Sequence, residues 1–141
     1  MPKVVYTPGQ GLVQQAGQGV QLSELPFTPV QAFTSQTPTF STPGVYTWTA
    51  GASLSPTGTL PNPADYPGGM FVFRAGDAGT YYLTASNATA GSYPIYNSSF
   101  NGSKLQMISG AGRTVSLISD GSRFMVFASS GSLTTSNFTN P

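Results

Sequence analysis

The groups able to move a proton or hold a metal ion are few, and their spacing limits the chemistry at once. Among 141 residues there are four acids, Glu24, Asp65, Asp77 and Asp120, and five bases, with no histidine and no cysteine. Paired-carboxylate hydrolysis needs two acids on one cleft, one of them with a raised pKa. Here Asp65 lies in "NPADYPGG", Asp77 in "AGDAG" and Asp120 in "SDGS", contexts in which an Asp side chain caps nearby backbone amides of a turn. A calcium loop needs several acids in D-x-D-x-D-G spacing, and no such run occurs. Without histidine, a nucleophilic serine would need Lys3 or Lys104 as its base. Lys3 sits in a Pro/Gly-rich start and Lys104 in a predicted turn, and no elbow motif surrounds the serines of "GSYPIY" or "SGSL". "PGQGLVQQAGQG" lacks the Lys-Ser/Thr ending of a phosphate-binding loop. The absence of cysteine removes disulfides and thiolate metal sites, and the absence of histidine removes the usual proton shuttle near pH 7. No catalytic residue, metal ligand or cofactor is therefore assigned, and the chain reads as a protein that is not an enzyme.

Aromatic side chains are the other groups with binding chemistry. Trp48, Tyr81, Tyr82, Tyr93 and Tyr96 are candidates for a platform that stacks on sugar rings. The competing reading is that they pack the core of a β protein that has few Leu and Ile, and it is the stronger one for each residue taken singly. Four Asn-x-Ser/Thr sequons, at Asn87, Asn97, Asn101 and Asn137, would matter only in a secretory pathway; they read as turn-forming Asn in a Ser/Thr-rich chain.

Charge is the abnormal feature of the composition. Only 6% of residues are charged and the net charge is +1, against roughly 25% charged in typical soluble domains. With so little repulsion between copies, the chain either lives inside an assembly or is wetted by its many Ser, Thr, Asn and Gln side chains. The few bases are too scattered to displace counterions from nucleic acid. No window approaches eighteen apolar residues, so no transmembrane helix is expected, and the start lacks the apolar stretch of a signal peptide. Aromatic content of 12% and hydrophobic content of 38% are enough to build a core, which excludes global disorder.

The elements that must position these residues read as strands. Six of the twelve prolines fall in the first 43 residues; proline removes ladder donors and glycine costs backbone entropy. Residues 1–44 are therefore expected to be an extended Pro/Gly-rich anchoring arm whose scattered apolar side chains dock onto something else. A β domain is expected over 45–128, and a polar, extended tail over 129–141. "VYTWTA" alternates with period two. "MFVFRA" and "TYYLTA" read as a hairpin around "GDAG", and "YPIYNSSF" and "SKLQMIS" as another around Asn101-Gly102. "TVSLIS" and "RFMVFAS" flank Asp120-Gly121, the signature of a two-residue hairpin turn. One face of that last hairpin carries Val115, Leu117, Phe124 and Val126, a core face. The other carries Ser116, Ile118, Arg123, Met125 and Phe127, too apolar for plain water and suited to a neighbouring subunit or the arm. No helical period of useful length is found. Seven short strands with Gly/Pro turns predict an all-β fold, an antiparallel β-sandwich or small barrel with an extended N-terminal arm.

The stretch "GAGRTVSLISDGSRFMVF" resembles a pattern recurrent in bacteriophage virion proteins. Thr114, Val115, Leu117, Ser119, Asp120, Gly121 and Phe124 match it, with Phe124 where Trp is common. Such hairpins occur in tail-fibre tips and in head-fibre or capsid decoration (cement) proteins, and "GGMFVFRAGDAGTYYLTAS" also looks like the earlier strands of these domains. The resemblance covers about sixty residues. It implies a decoration protein on the outer surface of a phage head. Its partners would be the major capsid protein and copies of itself, as a homotrimer, with no nucleic acid and no membrane. The interface residues expected are Val4, Val5, Tyr6, Leu12, Val13, Val20, Leu22, Leu25 and Phe27 for anchoring to the capsid, and Met125 and Phe127 for a neighbouring subunit. The turn would be made by Asp120 and Gly121. A tail-fibre or receptor-binding tip, or a carbohydrate-binding module contacting host glycans, is the alternative.

Overall fold

The fold comes from a computed structural model that describes residues 4–7, 11–14, 30–51, 53–89, 92–107 and 109–139, the first two segments by their backbone. The described residues contain strands and two single 3₁₀ turns, and no α-helix. Strands β1 (Val4–Thr7) and β2 (Gly11–Gln14) pair as an antiparallel hairpin of their own, with Val5 opposite Val13. The expectation of an extended arm therefore meets a two-stranded ladder near its start.

The remaining strands form two sheets. The larger contains β3 (Gln31–Phe33), β4 (Gly44–Trp48), β6 (Met70–Ala75), β8 (Ile95–Tyr96), β9 (Asn101–Gly102), β11 (Thr114–Ser119) and β12 (Phe124–Ser129), in the order β3-β4-β6-β11-β12-β8-β9. The smaller contains β5 (Thr57–Leu60), β7 (Tyr82–Ala85), β10 (Lys104–Gln106) and β13 (Phe138–Thr139), in the order β13-β10-β7-β5. Both sheets are mixed, where the sequence predicts antiparallel ladders. β3 with β4, β4 with β6, β8 with β12, and β5 with β7 run parallel. The chain from β4 to β7 crosses from one sheet to the other at every step, and each strand returns beside the one two before it. This solenoid-like winding replaces the expected sandwich or barrel of hairpins.

The loops between the strands show how the chain crosses. "GDAG" does join β6 to β7, but the two belong to different sheets. Asp77 holds the crossing: its Oδ1 accepts from the Gly79 N–H (2.8 Å) and the Tyr81 hydroxyl (2.7 Å), and its Oδ2 accepts from the Gly51 N–H (2.9 Å). One carboxylate thus ties loop 76–80 to the loop after β4, stacking successive crossings. Asn101-Gly102 is likewise not a turn but strand β9, paired with β8. The chain then changes sheet at Ser103, whose N–H and hydroxyl both donate to the Thr139 carbonyl (3.1 and 3.0 Å).

Buried side chains of both sheets meet in one core. Tyr46 and Phe73 stack at 5.2 Å, Phe40 packs against Phe73 at 4.7 Å, and Trp48 meets Tyr81 edge-on at 4.7 Å. Phe40 is fully buried although it precedes position 45. Its backbone N–H donates to the Thr59 carbonyl at 2.9 Å. Described residues ahead of position 45 thus belong to the core, because the proline-rich approach still places one large ring at its centre. The polar tail also contributes: Phe138 is buried in the core, Leu133 packs against it, and β13 pairs with β10.

Candidate interaction surface

The hairpin that motivates the interface reading forms, with a changed turn. Ser119 pairs with Phe124, Ile118 with Met125 and Leu117 with Val126. Four residues, Asp120 to Arg123, lie outside the ladder, where a two-residue turn would have paired Leu117 with Phe124. The slip is two residues, so every side chain keeps its face. Val115, Leu117, Phe124 and Val126 are buried as the alternation predicts. A bulge then falls at Phe127, between the pairs Leu117–Val126 and Ser116–Ala128, and leaves that ring 48% exposed.

Asp120 makes the longer turn. Its Oδ1 accepts from the Ser122 N–H (2.8 Å) and the Arg123 N–H (2.6 Å), and its own N–H donates to the Arg123 carbonyl (2.9 Å). Gly121 supplies the positive φ of 91°, which costs a side-chain-bearing residue. The Tyr96 hydroxyl donates to Asp120 Oδ2 (2.8 Å), and the Arg123 guanidinium lies 4.1 Å from the centre of the Tyr96 ring. Desolvation pushes the Asp120 pKa upward, but the hydrogen bonds from Arg123, Ser122 and Tyr96 outweigh it and hold the carboxyl below its ordinary 3.8. The Asp120 hydrogen bond raises the Tyr96 hydroxyl above its usual value.

Strand pairing extends this outer face well beyond the hairpin. Met70 on β6 stands beside Ile118, Ile118 beside Met125, and Met125 beside Tyr96 on β8. These four form one row across four strands. One pleat along, Val45 neighbours Val72, and Val72 neighbours Ser116. Met70 and Val45 are 49% and 37% exposed. At the margin of this face β8 pairs with β12 only through Phe124 and Met125. Beyond them a groove of about 440 Å³ is lined by Asn97, Ser98, Leu133 and the end of β12.

The residues assigned to interfaces thus divide. Met125 and Phe127 both line that groove. Asp120 and Gly121 lie in the turn, which runs on through Ser122 and Arg123 instead of closing in two residues. Val4, Val5, Tyr6, Leu12 and Val13 lie in the β1–β2 hairpin, and Val20, Leu22, Leu25 and Phe27 lie outside the described residues. Met70, Val72 and Tyr96 carry no interface signal of their own in the sequence, because nothing local says that β6 and β8 flank the hairpin.

The aromatic platform does not assemble. Trp48 and Tyr81 are each 1% exposed, the Lys104 ammonium stands 5.0 Å from the Tyr82 ring, and Arg123 covers one face of Tyr96. Tyr93, 41% exposed, is the one candidate of the five with an open ring. No protein-family model matches the chain, and no curated protein does.

Proposed function

We propose that this is a non-enzymatic structural protein of a phage virion, a decoration (cement) protein seated on the outer surface of the capsid. The observation that carries the reading is the exposure of Met70 and Val45 beside Ile118 and Met125 on the outer face of the largest sheet, in a chain with 6% charged residues. A freely diffusing monomer is normally kept soluble by charge; one held in an array is not so constrained. The turn roles of Asp77 and Asp120 agree with it, since both carboxylates are engaged by backbone amides rather than aimed at a cleft. Such a protein would act by burying apolar surface, at about 25 cal/mol per Å² gross, with neighbouring copies held at high effective concentration. The β1–β2 hairpin and the residues that follow it would reach the major capsid protein.

Quantitative mass spectrometry on purified virions from the source tests this directly. Hundreds of copies per particle are expected. A handful, in multiples of three, would move the protein to a tail tip and favour receptor binding. Absence from the particle would overturn both and return the question to a sugar-binding module.

A further inference from the structure

We infer that the groove beside the end of β12 is a binding site for a neutral saccharide of about disaccharide size, with the Phe127 ring as its stacking surface. The inference goes beyond the virion reading and does not depend on it. The groove holds about 440 Å³, toward the small end of the roughly 300–1,000 Å³ of ligand clefts. Phe127 lines it and is 48% exposed. The bulge at that position leaves Phe127 outside the ladder, the kind of irregularity that re-aims a side chain. Polar groups line the same groove. The Asn97 Oδ1 accepts from the Ser99 N–H (2.8 Å) and the Phe100 N–H (2.7 Å), and the Asn97 N–H donates to the Phe100 carbonyl (2.8 Å). The side chain is thereby fixed with its Nδ2 donors left over, and they have no partner among the described residues. Nor have the hydroxyls of Ser98 and Ser132, which line the groove as well.

The lining selects the class of ligand. None of the described residues that line the groove is charged. Asp120 and Arg123, which approach Tyr96, are already engaged with that side chain. A charged ligand would therefore lose water without gaining a counter-charge. A purely apolar ligand would cover the Asn97 amide and the two serine hydroxyls and leave them unpaired, which costs free energy. A peptide added as a further strand needs a regular row of backbone donors and acceptors along β12. The bulge at Phe127 interrupts that row, and the strand ends at Ser129, whose hydroxyl bonds the Gly131 carbonyl. A neutral saccharide meets the remaining demands together. Its C–H face can stack on an aromatic ring while its hydroxyls pair with amide and hydroxyl groups, the mixture of apolar wall and few polar groups typical of ligand sites. The groove is open on one side, so part of the ligand stays wet and binding should be weak, with a Kd on the order of millimolar.

Titration of the isotope-labelled full chain with maltose, lactose and diacetylchitobiose tests it, read by backbone amide shifts. Each sugar is taken to about 50 mM, well above a millimolar Kd. At least one should give saturable shifts confined to residues 97–100 and 127–133. Phe127→Ala should weaken that binding about 10-fold or more. Tyr93→Ala, at an open ring outside the groove, should leave it unchanged. The same spectra show that each variant is folded. A capped neutral peptide of alternating Val and Thr, run in parallel, should leave these amides unmoved. No saturable shift from any of the sugars, shifts centred on Tyr93, undiminished binding by Phe127→Ala, or the peptide moving these amides in place of the sugars would each overturn the saccharide site. None of these outcomes alters the number of copies on a virion, so the decoration reading is tested apart.

Discussion

Asp77 and Tyr81 carry more of the architecture than their positions in the sequence indicate. The Tyr81 hydroxyl donates to Asp77 and accepts from the Ala50 N–H at 3.0 Å, so the pair joins the end of β4 to the start of β7. Burial first, and then the Asp77 carboxylate beside it, push the Tyr81 hydroxyl up to about 12 from 10.0. Burial of Asp77 works in the opposite direction from its three hydrogen bonds, which prevail and lower its pKa below 3.8. The signs give a pH profile. A carboxylate depressed by folding stabilises fully above its unfolded value near 3.9 and loses that contribution as pH falls through the folded value. A phenol raised by folding stabilises fully below pH 10, and that contribution is lost as pH climbs toward 12. Urea titrations should therefore show stability falling on the acid side below about pH 4 and on the alkaline side above 10. Asp77→Asn should flatten the acid limb and lower stability near neutral pH by about 1–3 kcal/mol, because the Gly51 and Gly79 amides lose a charged acceptor. An unchanged acid limb would show that the Asp77 bonds do not persist in solution.

At the scale of elements, β5 shows how close the two sheets come. A Cβ on Gly58 would sit 2.4 Å from the Phe40 ring and 3.1 Å from Trp48, so β5 passes over the aromatic centre with no room for a methyl group. Gly58→Ala should cost about 1–3 kcal/mol by overpacking, measured by chemical denaturation, and the gain in strand propensity should not rescue it. At the tip of the β11–β12 hairpin Gly121 is constrained by its dihedral and not by space, since its nearest neighbours lie 3.7 Å from a built Cβ. Gly121→Asn, which tolerates positive φ, should therefore be milder than Gly121→Val. The inner and outer faces of this hairpin are legible in the sequence, because a slip of two residues leaves both sets unchanged. The hairpin expected at Asn101-Gly102 is absent because that pair is itself a strand, β9, beside β8, and the one expected around "GDAG" is absent because its two strands lie in different sheets. A glycine-rich turn looks the same whether the next strand folds back beside the last or crosses to another sheet.

For the whole molecule, the boundary of the body decides which truncations are informative. Deleting residues 1–29 should leave a cooperative thermal transition within a few degrees of the full chain, since β3 to β13 and the shared core are retained. Deleting residues 1–43 should not. It removes β3 and the fully buried Phe40, and loss of a core Phe alone costs about 3–5 kcal/mol, against about 5–15 kcal/mol for an entire domain. Only the shorter deletion can ask whether the N-terminal segment binds a capsid; the longer one would report unfolding instead. A cooperative melt for the 44–141 fragment would show that the body does start where the proline density falls.

What the amino-acid sequence determined by itself was the class of fold, the turn roles of Asp77 and Asp120, and the inner face of the last hairpin. Each follows from short-range physics: side chains alternate along a strand, Asp accepts from amides two or three residues on, and Gly allows positive φ. Tertiary structure alone decided which strands are neighbours, that Phe40 belongs to the core, and that Met70 and Tyr96 continue the row begun by Ile118 and Met125. Those outcomes depend on contacts between segments tens of residues apart. The free energy of burying one aromatic cluster selects among strand orders that the local pattern leaves equivalent.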